Sequence, residues 1–170
     1  MEINWKTILE DDLVRLRPLV ADDFEALFAV AADPNIWAQH PQKDRYKRDV
    51  FIETSFKGAL IAKAAFVVID KKTNEIIGSS RFDNFDEKKN EIEIGWTFLA
   101  CRYWGGTYNR AMKTLMIDHA LQFVENVIFN VGDKNLRSQL AMKKLGATDI
   151  TTADSRPETV VFCINKTNWK

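Results

Sequence analysis

The sequence has two cysteines and two histidines, and neither pair is placed to share a metal ion. Cys101 and Cys163 are far apart with no C-x-x-C between them, and His40 is also well separated from His119. A zinc site and a disulfide framework are therefore not expected, and each cysteine reads as a small, partly buried apolar residue. An excess of one charge is also missing. The 24 basic residues cancel the 24 acidic ones, which leaves no broad basic field for a nucleic-acid backbone or an anionic membrane. No apolar run is long enough to span a bilayer, and the opening MEINWKTILEDD is mixed and acidic rather than a basic segment leading into an apolar one. The expected compartment is the cytoplasm. No low-complexity linker, internal repeat or charge block divides the chain.

What remains is 170 residues, 46% hydrophobic and 28% charged, enough to bury a core in one domain spanning 1–170. LVRLRPL at 13–19 alternates as a half-buried strand, and Phe24, Leu27, Phe28 and Ala31 mark a helix that stops before Asp33-Pro34. A second helical region spans about 46–63, with Val50, Phe51, Phe56, Leu60 and Ile61 as its expected buried stripe. Residues 64–70 and 76–85 read as strand, turn, strand. In NEIEIGWTFLA, 90–100, Ile92, Ile94, Trp96 and Phe98 alternate with Glu91, Glu93, Gly95 and Thr97, predicting a third strand with one polar face. A helix over about 106–123, a strand at 125–131, a helix over 136–145 closed by Gly146, and a strand at 159–165 complete the order. This is α+β or mixed α/β, with a strand-helix-strand crossover in the second half.

The stretch RYWGGTYNRAMKTLMIDHAL, from Arg102, joins the third of these strands to the long helix through paired glycines. The pair can simply turn the chain, or it can let a phosphate approach the main chain at a helix N-terminus, where free N–H groups and the dipole favour an anion. Neither G-x-x-x-x-G-K-[ST] nor a G-x-G-x-x-G in the first βα unit is present, so a phosphate-bearing cofactor other than a Walker-type nucleotide fits better.

Four stretches, 13–37, 90–116, 135–147 and 158–169, together resemble the GNAT superfamily of acyl-CoA-dependent N-acetyltransferases in their order. The resemblance is to its Rim-type branch of ribosomal-protein N-terminal acetyltransferases, and it covers nearly the whole chain. It implies an open mixed central sheet with helices on both faces, whose strands 90–100 and 125–131 diverge to admit acetyl-CoA as co-substrate, with no metal. It further implies that the pantetheine arm pairs with the backbone of Phe98, Leu99 and Ala100, and that the pyrophosphate lies on the 102–107 loop. The family's loop pattern, Gln/Arg-x-x-Gly-x-Gly/Ala, is met by Arg102 and Gly105, whereas Thr107 stands where a small residue belongs. Either Gly106 absorbs that change or affinity for coenzyme A falls. By the same resemblance Asn135 bonds the pantetheine arm, although it also suits a helix cap, and Ser138 sits near the sulfur to assist the leaving thiolate.

Transfer to an amine needs a base, because an ammonium has no free lone pair. Glu93 is the leading candidate, on the polar face and flanked by Ile92 and Ile94. Glu91 shares its face, and Glu158 is the other option. A backbone N–H near 97–99 is the expected donor to the oxyanion. Trp37, His40, Arg81, Phe82 and Trp96 are candidates for the acceptor pocket, and each also fits ordinary packing. Expected partners are acetyl-CoA and an amine, either a protein N-terminus or a small molecule, with homodimerisation open and no nucleic acid or membrane. A non-catalytic acyl-CoA-binding or protein-interaction module on the same fold is the alternative.

Overall fold

In the computed structural model, which describes residues 3–62 and 64–169, eight strands form one sheet in the order β1-β2-β3-β4-β5-β6-β8-β7. The strands are β1 (Leu9–Glu10), β2 (Val14–Pro18), β3 (Ala65–Asp70), β4 (Glu75–Asp86), β5 (Glu91–Leu99), β6 (Asn126–Gly132), β7 (Thr148–Asp149) and β8 (Thr159–Asn165). All neighbours are antiparallel except β5 and β6, which are joined by the crossover helix α5 (Thr107–Ala120). β3 lies in the middle of one half of the sheet, and all six of its residues are buried.

Two apolar layers sandwich the sheet. On one face Met112, Met116, Ile117 and Ala120 of α5 pack against Leu16, Phe66, Val68, Ile92 and Ile94. Their spacing of three and four residues puts them on one side of the helix. On the other face Leu27 and Ala31 of α1 (Phe24–Ala31) join Trp37 at the end of α2 (Pro34–Trp37) and Phe51 at the end of α3 (Arg48–Phe51). Asp33 caps α2 by accepting from Asn35 N–H at 2.9 Å, and Pro34 follows it at the first helical position, where no N–H is needed. The final helix, α6 (Leu136–Lys144), ends at Gly146, whose φ of 85° is the left-handed value a C-terminal glycine supplies.

Two expectations from periodicity are corrected. Leu60 and Ile61 of α4 (Lys57–Ile61) are 43% and 83% exposed rather than buried. A π turn at Ile52–Phe56 lies between α3 and α4. Each extra residue in a turn rotates the following face by about 100°, so the stripe that buries Phe51 and Phe56 does not continue. Lys63, the expected end of this region, lies outside the described residues.

The second correction concerns β5. Ser79 pairs with Phe98 while Arg81 pairs with Gly95, so β5 carries one extra residue there, and Trp96 adopts a φ of 51°. This β-bulge reverses the alternation. Phe98 turns to the α1 face beside Trp37 and Phe51, and Leu99 takes its place on the α5 face with Ile92 and Ile94. Ile92, Ile94, Trp96 and Phe98 therefore do not share one face.

Candidate active site

β5 and β6 pair only at Glu91–Asn126, Ile92–Val127 and Glu93–Ile128. Beyond Glu93 they separate, and the space between them is a cavity of ≈ 390 Å³ reaching from Glu93 to the α5 N-terminus and across to α6. Strand alternation exposes the β5 edge to this fork. Ala100 N–H donates to Ile77 O in β4, so the backbone groups of Leu99 and Thr97 point the other way, into the cavity. The Leu99 carbonyl already accepts from Trp104 Nε1 at 3.0 Å, while the N–H groups of that edge have no acceptor among the described residues and can donate to a carbonyl oxygen.

At the mouth the two glycines differ. Gly105 has a φ of 69° and makes the turn; Gly106, the N-cap of α5, is extended, with a φ of −114°. A Cβ added at either would meet no heavy atom within 4 Å, so the main chain is open to an approaching group. The first amides of α5 have no intrahelical acceptor, and together with the dipole they suit a pyrophosphate. The loop is anchored from below, since Tyr103 and Tyr108 both donate to the buried Asp70, at 2.9 and 3.2 Å. The open glycines and free amides fit coenzyme A. Thr107 is the first residue of α5 and is exposed, so its β-branch does not fill the approach.

The carboxylate at the fork is Glu93, 6% exposed, with Oε2 accepting from Asn84 Nδ2 at 2.6 Å. Gly95 keeps room beside it: a Cβ there would lie 3.3 Å from Glu93 Oε1. Trp37, His40 and Trp96 line the cavity with it. Arg81 stands just behind, with its guanidinium 3.6 Å from the Trp96 ring centroid and 3.2 Å from Asp83 Oδ2. Like Arg81, the expected site residues Phe82, Ala100, Arg102, Gly106 and Thr107 are not part of the cavity lining, and Ala100 borders the outer groove instead. Phe82 is buried on the α5 face against Phe66 and Trp5, because its neighbour Arg81 takes the opposite face. Arg102 pairs with Glu75 at 3.0 Å on the exposed side of the loop. It borders a separate outer groove of ≈ 860 Å³ that contains neither Glu93 nor the β5 edge. Glu91 is half-buried next to the paired end, and Glu158 is exposed.

Opposite β5, Asn135 caps α6 by accepting from Ser138 N–H at 3.3 Å, and both residues line the cavity. The fork is roofed on the α1 face by the segment after α2. Arg137 of α6 donates to Ile36 O at 3.2 Å, and Pro41 packs close to Gly132 of β6.

Among the lining residues that sequence reasoning missed are two buried cations. Lys113 of α5 is 4% exposed, and its Nζ donates to Thr97 Oγ1 at 2.6 Å; burial pushes its pKa down to about 7. It could have been found, because it falls three, four and seven residues before Met116, Ile117 and Ala120, on a stripe where a lysine is out of place. Arg45, in the 3₁₀ turn Lys43–Tyr46, is 8% exposed, and no periodicity flags a residue in so short a turn.

A mixed sheet forked at its one parallel pair, with a free strand edge, a glycine-opened helix N-terminus and a buried carboxylate, defines a receptacle for an elongated phosphate-bearing thioester. The family model for the acetyltransferase (GNAT) domain matches residues 14–148, and the chain belongs to that family. It is an acetyl-CoA-dependent acetyltransferase.

Among solved structures, a GCN5-related N-acetyltransferase from Brucella melitensis is similar with a TM-score of 0.81 at 19% identity, over 96% of this chain and 80% of that one. Mycobacterium smegmatis RimJ in complex with CoA-disulfide gives 0.72 at 16%, over 97% and 90%. The ribosomal-protein-S5-alanine acetyltransferase from Vibrio fischeri gives 0.68 at 16%, over 96% and 99%. At these identities the likeness is one of fold, and it includes Rim-type enzymes. The comparison with curated proteins found no match.

Proposed function

We propose that the protein moves the acetyl group of acetyl-CoA to a primary amine, on a protein N-terminus or a small molecule, by direct attack in a ternary complex. The observation that carries this reading is the fork itself: the free β5 edge and the buried Glu93 carboxylate line one cavity that also reaches Gly105, at the mouth of the loop before α5. Acetyl-CoA supplies the activated acyl group. Asn135, Gly105, Gly106 and the cavity-facing backbone of Leu99 and Thr97 hold it, since the Ala100 N–H is already bonded to β4, and a free N–H of the β5 edge donates to the carbonyl oxygen.

Glu93 takes the proton from the ammonium, directly or through a water, and so frees the lone pair that attacks. Ser138 stands on the far wall and donates a hydrogen bond that stabilises the departing thiolate, directly or through a water, while the proton lost by the attacking nitrogen as the amide forms balances the charge on sulfur. Cys101 is not a nucleophile in this scheme, since burial pushes its thiol up to about 11 and Asp33 adds to the effect.

Thiol release from acetyl-CoA across a panel of amines, with initial rates measured while both substrates vary, tests the reading. Intersecting double-reciprocal lines are expected. Parallel lines would point to a covalent enzyme intermediate, and cofactor stabilisation without turnover on any amine would favour the non-catalytic module.

A further inference from the structure

We propose that the acceptor amine carries an anionic group, a carboxylate or a phosphate, and that Arg45 binds this group inside the fork; the inference rests on the amine-acetylating reading above. Arg45 lines the cavity and is 8% exposed. Its contacts are uncharged: Nε donates to Gln42 Oε1 at 2.9 Å, Nη1 lies 3.2 Å from His40 Nε2, and the Trp37 ring centroid is 5.6 Å from Cζ. Among the described residues no carboxylate forms a salt bridge with it, and the nearby charge that acts on it is Arg81, of the same sign.

The contact with His40 is weaker than its distance suggests. Burial and then the Arg45 charge push the His40 pKa down to about 4, so at neutral pH the ring is uncharged and has a single acceptor nitrogen. Gln42 N–H donates to Nδ1 at the shorter distance of 2.9 Å, which places the remaining proton on Nε2, facing a guanidinium that can only donate. The outer N–H groups of Arg45 therefore lack a good acceptor. Burial without a counter-charge is costly, and here it pushes the guanidinium down to about 10.

Behind it Arg81 adds a second buried guanidinium, stacked on Trp96, with an Nε that has no hydrogen-bond partner among the described residues. Glu93 lies in the same cavity. The site thus offers a carboxylate to an ammonium and a guanidinium to an anion, which is the complement of an amine bearing a negative group.

The phosphates of coenzyme A are the rival occupants, and position argues against them. Their amides lie past the end of β5 at Leu99, whereas Arg45 neighbours Trp37 and Arg81, and Arg81 pairs with Gly95 before the bulge.

The test uses three amines of similar length, n-butylamine, 4-aminobutyrate and 3-aminopropyl phosphate, with the wild type, Arg45→Gln and Arg45→Lys. Wild-type kcat/KM should be about tenfold or more higher for an anionic amine than for butylamine, and which anion gains more separates carboxylate from phosphate. The ratio should fall to near one in Arg45→Gln and recover in part in Arg45→Lys, with the KM for acetyl-CoA unchanged. Equal wild-type values on all three amines overturn the proposal, even if Arg45→Gln fails to fold. So does an Arg45→Gln protein of native Tm that keeps the preference, or one that loses acetyl-CoA affinity instead.

If no amine turns over, it is the amine-acetylating reading that fails. Binding then decides for Arg45. A rise in Tm with butyrate or propyl phosphate in the wild type but not in Arg45→Gln upholds the anion site, and no rise overturns it.

Discussion

Lys113 Nζ donates a 2.6 Å hydrogen bond to Thr97 Oγ1, which also shares a 2.8 Å hydrogen bond with Ser80 Oγ, so an amine from α5 is tied to β5 one residue past the bulge at Trp96. The amine is buried, and among the described residues no acidic partner offsets its loss of water; desolvation lowers its pKa to about 7. Between that value and the ordinary 10.5 the unfolded chain carries a proton that the folded chain has released. The site's contribution to stability therefore rises with pH across this window, and the penalty is complete below about 7. Lys113→Met should raise stability at neutral pH by about 1–4 kcal/mol. It should also flatten the rise from pH 7 to pH 10 relative to wild type. Tm measured against pH for both proteins checks this, and parallel curves would show that the lysine is not buried uncharged.

Gly105 and Gly106 separate turn chemistry from ligand approach. Gly106→Val is compatible with its extended backbone and open surroundings, so it should leave Tm within a few degrees of wild type while abolishing the thermal shift from coenzyme A. Gly105→Val sits at a φ of 69° and should lose about 1–3 kcal/mol of stability as well. An undiminished coenzyme A shift in Gly106→Val would move the phosphate site elsewhere.

Replacing Glu93 by Gln keeps its shape and removes the base. We expect kcat to fall by ~10²- to 10⁴-fold with coenzyme A binding intact, and the acidic limb of the pH–rate profile to change with it. Glu91→Gln and Glu158→Gln, at positions outside the cavity lining, should stay near wild type. If Glu158→Gln carried the loss instead, the base would lie in the turn just before β8.

The two polar residues at the start of α6 should separate into cap and catalyst. Asn135→Ala removes the acceptor for Ser138 N–H and should cost about 1 kcal/mol, read by denaturant midpoint. Ser138→Ala leaves that cap in place and should lower kcat by ~10²-fold or less with little change in Tm, since water can replace part of its role. A loss of Tm with normal kcat in Ser138→Ala would make the residue structural.

Sequence periodicity and the local chemistry of the chain determined the order of the longer elements, the crossover between residues 90 and 131, the glycine-opened loop and the caps at Asn135 and Gly146, because these depend on neighbours within a few residues, whereas the short β1, α2 and β7 and the division of 46–63 were not legible. The same local information marked Glu93 as a carboxylate between isoleucines. Tertiary structure decided the rest. The alternation of Ile92, Ile94, Trp96 and Phe98 is unbroken in the letters, yet pairing with β4 inserts a bulge that sends Phe98 to the other face. Leu60 and Ile61 have helical spacing, but the π turn before them rotates them to solvent. Arg45 is one arginine among many until a folded roof buries it against Trp37 and His40. Burial of a charge depends on what distant segments pack around it, and spacing along one element does not encode that.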